Sequence, residues 1–263
     1  MDIEAEIVAH FISNTIENDP YTPSAEQIQV LRRKLEVYEE ITKKFPLELG
    51  KKISKDAREN ENSAWNFSFT YGEVDFMSMG ELFYTINERY GGMSQGGIFY
   101  DLGSGIGKAL IAAALLGDFS ECRGIEIIEN LHSLAENLVA EYHDNFVKFL
   151  IQNSDIWTVA PKITCVCADL LKYDWSDASM LLVNSTCFDE ETISAISNVP
   201  VANGTISISL SKALSATSWL QLEKVQKKMS WGDATIYIQK KVDAQEQQKL
   251  LNEFGKMLEN VED

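Results

Sequence analysis

Basic side chains are scarce in this 263-residue chain. Against 40 Asp plus Glu there are 23 Lys plus Arg, for a formal charge of −17. A surface of that sign repels nucleic acid at long range, so no strong direct nucleic-acid binding is expected. Histidine is scarcer still: His10, His132 and His143 are the only three, and all fall in helical patterns that point to structural roles. The four cysteines, Cys122, Cys165, Cys167 and Cys187, lack the paired spacing of a zinc site. They read as reduced, mostly buried thiols of a cytoplasmic or nuclear protein with no metal centre. The longest apolar run, 109–116, falls far short of the roughly 20 residues that span a bilayer, and the acidic start MDIEAEIVAH lacks a signal-peptide pattern. No internal repeat or low-complexity segment is visible.

What is present is an ordinary globular composition, 45% apolar and 24% charged. At about 150 residues per domain the length fits one large domain or one domain with an appendage. The charge is uneven: residues 1–62 carry net −4, residues 63–200 net −13 and residues 201–263 net zero. A region that anionic attracts cations or basic proteins.

The first 60 residues read as helices. Ile3, Ile7, Val8, Phe11 and Ile12 share one face, Pro20 and Pro23 break the chain, and Ser24 is placed to cap a second helix running through Ile41 to a break at Phe45-Pro46. From about Gly97 strands and helices alternate. Strands are expected at 98–102, 123–127, 163–167, 180–183, 204–210 and 235–239, with 229–231 paired beside the last. Helices are expected at 108–116 and 130–150, and a polar amphipathic one at 243–263. This alternation argues a doubly wound, mostly parallel sheet. The expected division is a helical N-terminal subdomain (1–62), a catalytic domain (63–240) and a C-terminal helix (241–263).

The most informative stretch is Tyr100-Asp101-Leu102-Gly103-Ser104-Gly105-Ile106-Gly107-Lys108, a strand running through three glycines into a helix. Glycines permit a tight turn and close approach of a ligand at the carboxyl ends of the strands. A dinucleotide fold wants Gly-x-Gly-x-x-Gly. Here the spacing is Gly-x-Gly-x-Gly with an acid two residues upstream, which suits a ligand carrying a free amine and no phosphate. S-adenosylmethionine is such a ligand. Glu126 lies at the end of the next strand, at the spacing of a ribose acceptor. Asp169 ends a third strand and can accept from an adenine amine, with Leu170 packed on the ring.

These motifs resemble the disruptor-of-telomeric-silencing family, the non-SET histone lysine methyltransferases of class I fold. Thr70-Tyr71-Gly72-Glu73 is similar to the family's Tyr-Gly-Glu loop, and residues 99–107 match its cofactor loop nearly residue for residue. Gly124-Ile125-Glu126 is similar to its ribose strand, and the block from Leu182 to Phe188 to its Val-Asn-Asn-Phe-x-Phe channel block. Ser211-Lys212 and Ser230-Trp231…Tyr237 resemble its last two strands. The resemblance implies a Rossmann-like, seven-stranded, mostly parallel sheet. It implies that Tyr71, Glu73, Asp101, Gly103, Gly105, Gly107, Glu126, Asp169, Leu170 and Asn184 bind S-adenosylmethionine. Asn184 would also sit beside the transferred methyl, with Phe188 and Tyr237 lining the lysine channel together with Trp231. The implied substrate is a basic protein, a histone among the candidates.

Three positions depart from the family pattern: Ser185 replaces the second Asn, Thr186 the following aromatic, and Lys108 a polar amide. No basic tail of the kind that grips nucleosomal DNA is found. Two other functions stay open on the sequence: a small-molecule methyltransferase, and a catalytically silent binding module.

Overall fold

The computed structural model describes residues 23–60, 71–92, 95–152, 156–157, 160–215, 217–243, 245–246 and 248–249. The helix expected around Ile3 to Ile12, the residue Thr70 and most of the C-terminal helix lie outside the described residues.

Ser24 caps α1 (Ala25–Thr42) through a reciprocal box with Gln27, each side chain bonding the other's backbone N–H. Phe45-Pro46 separates it from α2 (Leu47–Asn60). Next comes α3 (Phe76–Tyr90), for which the sequence reading had no element. Its punctuation was nevertheless there. Asp75 accepts the Ser78 N–H at 2.8 Å, and Gly91 closes the far end in the left-handed region at φ 83°.

The rest of the chain builds one seven-stranded sheet: β1 (Ile98–Leu102), β2 (Glu121–Glu126), β3 (Lys162–Cys167), β4 (Met180–Val183), β5 (Ile206–Leu210), β6 (Trp219–Met229) and β7 (Gly232–Lys241). Their order is β3-β2-β1-β4-β5-β7-β6. The first five pair in parallel and β7 runs antiparallel to both β5 and β6. This is the mostly parallel, doubly wound sheet expected of a class I methyltransferase fold. The winding reverses between β1 and β4, and a crevice opens there at the carboxyl ends of the strands.

Alternation along the strands feeds two cores. Phe99, Met180, Leu182, Ile206 and Ile208 face one side; Tyr100, Leu102, Leu181 and Val183 face the other with Trp175 and Trp219. On the first side α4 (Lys108–Leu116) has Leu110 to Leu115 all buried. Its three consecutive alanines let it lie between the sheet and a further helical layer. That layer is α1 and α3, whose Val37, Ile41, Phe76, Met79 and Phe83 join the same core as the sheet. The long α5 (Glu129–Gln152) completes this side, and α6 (Glu190–Asn198) covers the other with Ile193 and Ile196.

Two expectations need correction. The strand placed at 229–231 is instead the eleven-residue edge strand β6, which ends at Met229, and Ser230-Trp231 forms the turn into β7. Only one face of β6 is covered, and Lys224, Gln226 and Lys228 on the other gave it a polar look. Edge strands carry such lysines because they discourage pairing with other chains. Nor are the cysteines mostly buried. Cys122 is, whereas Cys165 and Cys187 are half-buried and Cys167 is exposed at the end of the edge strand β3; all four are free thiols. No helix among the described residues is long and apolar enough to cross a membrane.

A buried ion pair ties α3 to the sheet edge, with Lys227 of β6 donating to Glu81. Removing one partner of a buried pair strands the other charge. We expect Glu81→Ala to lower the unfolding free energy by about 3–5 kcal/mol, read from urea denaturation midpoints.

Candidate cofactor and acceptor site

Parallel pairing of β1 with β2 sets Asp101 opposite Gly124 and brings Glu126 to the same end of the sheet. Both carboxylates are buried and line a cleft of about 820 Å³. Asp101 is 3% exposed, and its carboxylate accepts no hydrogen bond from any described residue. Burial first, and the neighbouring Glu126 second, push its carboxyl up to about 8. Burial also raises Glu126, opposed by backbone N–H groups. Its Oε2 accepts from Gly105 N at 2.7 Å and its Oε1 from Ile128 N at 2.8 Å.

Between them runs the glycine loop. Gly103, Gly105 and Gly107 lie at φ 87°, 54° and 82°, in the left-handed region. The N–H groups of Gly103 and Ser104 donate to Ile125 O, so β2 holds the loop down. At Gly105 a Cβ would come within 2.7 Å of the Tyr71 ring. At Gly107 it would come within 3.3 Å of Ala135 on α5. Gly107 therefore seats the helix start against α5 rather than lining the cleft.

A strap, Tyr71-Gly72-Glu73, crosses the loop. The Tyr71 ring is clasped on two sides, since a Cβ at Gly50 of α2 would lie 2.4 Å from it. Its hydroxyl donates to Glu73 Oε1 at 2.7 Å, and Lys108 donates to Glu73 Oε2 at 2.8 Å. Glu73 N donates to Ser230 Oγ at 2.7 Å, and Gly72 lies against the Trp231 ring.

At the β3 end, Asp169 lines the cleft, accepts from Leu171 N at 2.9 Å and pairs with Lys172 at 3.0 Å. Leu170 is held by the Trp175 indole N–H on its carbonyl at 2.9 Å. Ile127 and Leu171, 53% and 45% exposed, form two apolar rails at the cleft. At the β4 end Asn184 lines the cleft, and its Oδ1 accepts from Thr186 Oγ1 at 2.9 Å, which lies 3.0 Å from Ser211 Oγ. Ser211 is the one non-glycine at positive φ among the described residues. Ser185 is fully buried and donates to Leu210 O while accepting from Lys212 N at 3.2 Å. It joins the ends of β4 and β5 and takes no part in the cleft. Phe188 lines the cleft beside Gly103.

Tyr237 is not brought to this cleft. Along β7, Ile236 and Ile238 point into the core, so Tyr237 points to the opposite face, where the Lys224 ammonium lies 5.5 Å from its ring centroid. Trp231, at the hairpin turn, is the aromatic that lines the cleft from this end. The sequence reading missed the rails, the Thr186 hydroxyl and Cys187 as lining residues. An apolar residue just past each strand-end acid, Ile127 after Glu126 and Leu171 after Asp169-Leu170, was the available signal for the rails.

A family model described as histone methylation protein DOT1 matches residues 51–236. The chain belongs to this family. Among curated relatives, the H3 lysine-79 specific histone-lysine N-methyltransferase of Yarrowia lipolytica is 39% identical over 93 residues. That match covers 35% of this chain and 18% of the relative, so the chain spans about a fifth of that protein's length. Among solved structures, an RNA methyltransferase from Salinibacter ruber, in complex with S-adenosyl-L-homocysteine, superposes with a TM-score of 0.44 at 19% identity, over 63% of this chain and 92% of that one. An rRNA methyltransferase from Streptomyces viridochromogenes gives a TM-score of 0.47 at 12% identity, over 65% and 86%.

The residues present fit S-adenosylmethionine. Asp101 lacks a donor that an ammonium supplies, the loop leaves room above the backbone, and two apolar rails await a flat ring. Without that cation Asp101 is a liability. Its pKa is raised in the fold, so its contribution to stability is full below about 4 and is lost as pH rises toward about 8. The uncharged Asp101→Asn should therefore melt higher than the ligand-free wild type at pH 8.5, with a smaller gap at pH 5, by calorimetry at both pH values.

Proposed function

We propose that this chain transfers a methyl group from S-adenosylmethionine to a lysine side chain of a basic protein. The observation that carries this reading is the pair of buried carboxylates, Asp101 and Glu126, flanking the glycine loop in one cleft. Asp101 holds the ammonium of the cofactor, Glu126 its ribose hydroxyls, and Asp169 with Leu170 its adenine. Bound there, the cofactor supplies an electrophilic methyl on a positively charged sulfur.

The chain's own task is then placement. An in-line displacement needs the attacking nitrogen about 3–3.5 Å from the methyl carbon. Asn184, held by Thr186, is positioned to orient that nitrogen, and Phe188 and Trp231 exclude water. A lysine has a free pKa of about 10.4 and must arrive neutral. A dry passage lowers that value by penalising the ammonium.

Several features support a protein substrate. The H3 lysine-79 specific relative acts, by its name, on a histone. The anionic segment 63–200 contains every strand of the cleft floor, and Asp189, Glu190 and Glu191 open α6 near its mouth. That field favours a basic partner, histone-like in a nuclear setting, and disfavours one wrapped in DNA, most of all at low salt.

Radiolabelled transfer onto purified core histones, nucleosomes, whole-cell extract and its small-molecule fraction tests this reading. Free histones should label more strongly than nucleosomes. Label confined to the small-molecule fraction would overturn the protein substrate. Gly103→Arg and Glu126→Ala should abolish calorimetric binding of S-adenosylhomocysteine, whereas Asn184→Ala should keep most of that affinity and lose transfer.

A further inference from the structure

Lys108 occupies an unfavourable place for a cation. It is the first residue of α4, where unpaired backbone N–H groups repel positive charge, and Gly107 before it offers no side-chain cap. No acid stands in the first turn of that helix. The compensation comes from elsewhere in the chain. Glu73, on the strap, accepts from the Lys108 ammonium at 2.8 Å, with the two side chains 12% and 13% exposed. The other Glu73 oxygen is taken by the Tyr71 hydroxyl at 2.7 Å. Burial, reinforced by Glu73, holds that hydroxyl well above its ordinary value, so it stays protonated and donating.

Of the carboxylates that line the cleft, Glu73, Asp101 and Glu126 gather at the glycine loop, and they are not equivalent. Among the described residues, no cation lies within hydrogen-bonding distance of the Asp101 or Glu126 carboxylate; Glu73 has both oxygens engaged, one by a cation.

We propose that Lys108 is a positioning residue for the cofactor site: by cancelling the charge of Glu73 it lets the Tyr71–Glu73 strap lie across the glycine loop. Glu73 is then the catch that fixes the strap, and Asp101 is left as the acceptor for the cofactor's ammonium. The inference rests on the cofactor reading above. Without Lys108, a third desolvated carboxylate would stand beside two already disfavoured in their charged form. The strap would have to withdraw toward water. It would carry Tyr71 off Gly105 and Gly72 off Trp231, and the cleft would lose a wall.

The test is calorimetric affinity of the whole chain for S-adenosylhomocysteine, paired with Trp231 fluorescence, isolated by difference against Trp231→Phe. Lys108→Gln should weaken binding by about tenfold or more, as expected for one orphaned buried charge, and shift the Trp231 emission to the red. Lys108→Arg keeps the charge and should preserve both affinity and emission. Adding Glu73→Gln to Lys108→Gln should recover affinity, because an amide leaves no unpaired charge. This double variant also removes the risk that the single one fails to fold. Unchanged affinity and emission in Lys108→Gln, or losses that add in the double variant, would overturn the proposal. If the wild-type protein itself failed to bind, the cofactor reading would fall instead.

Discussion

The cleft is organised by the cost of keeping negative charge out of water. Asp101 and Glu126 reach the same point because β1 and β2 pair in parallel and end together. Each pays part of the desolvation penalty differently. Glu126 recovers some of it through the N–H groups of Gly105 and Ile128, whereas the Asp101 carboxylate recovers none from the described residues. A site built in this way is strained toward a cation. Its electrostatics select for a positively charged ligand before any shape is considered, and the rails and glycine loop refine that selection.

The same constraint explains why much of the site was legible in the sequence. Gly103, Gly105 and Glu126 have no freedom to drift, because the turn, the close approach and the strand end each demand one residue type at one spacing. The helix at 108–116 was equally plain, since a run of alanines among leucines strongly favours helix. Legibility ended where position depended on partners distant in the chain. Tyr237 lies away from the cleft because strand alternation turns it to the other face of β7, which no local motif announces. The length of β6 was hidden by its lysines, and α3 by the absence of any motif beyond its caps. Lys108 looked like a mere departure from the family pattern. Its role emerged only when Glu73, 35 residues earlier, was found on the same ammonium.

Helices α1 to α3 bear on the chemistry as well as on the core. Through Val37, Ile41 and Phe83 they share the apolar interior of the sheet. Through Gly50 and the strap they reach the cofactor loop. The polar turn Ser230-Trp231 closes the circle, because Ser230 N donates to Glu73 O at 3.2 Å while its hydroxyl accepts from Glu73 N. Segments from three distant parts of the chain thus meet on three consecutive strap residues.

The Tyr71 ring, flat between Gly50 and Gly105, has a consequence for how such a protein can diverge. Neither glycine can acquire a side chain without displacing the ring, and the ring cannot shrink without loosening both surfaces. Three positions from separate segments must therefore change in concert or not at all. The helices that precede the sheet are thus fitted to it at the ångström scale, and any other helical leader would have to supply a matching gap for the ring.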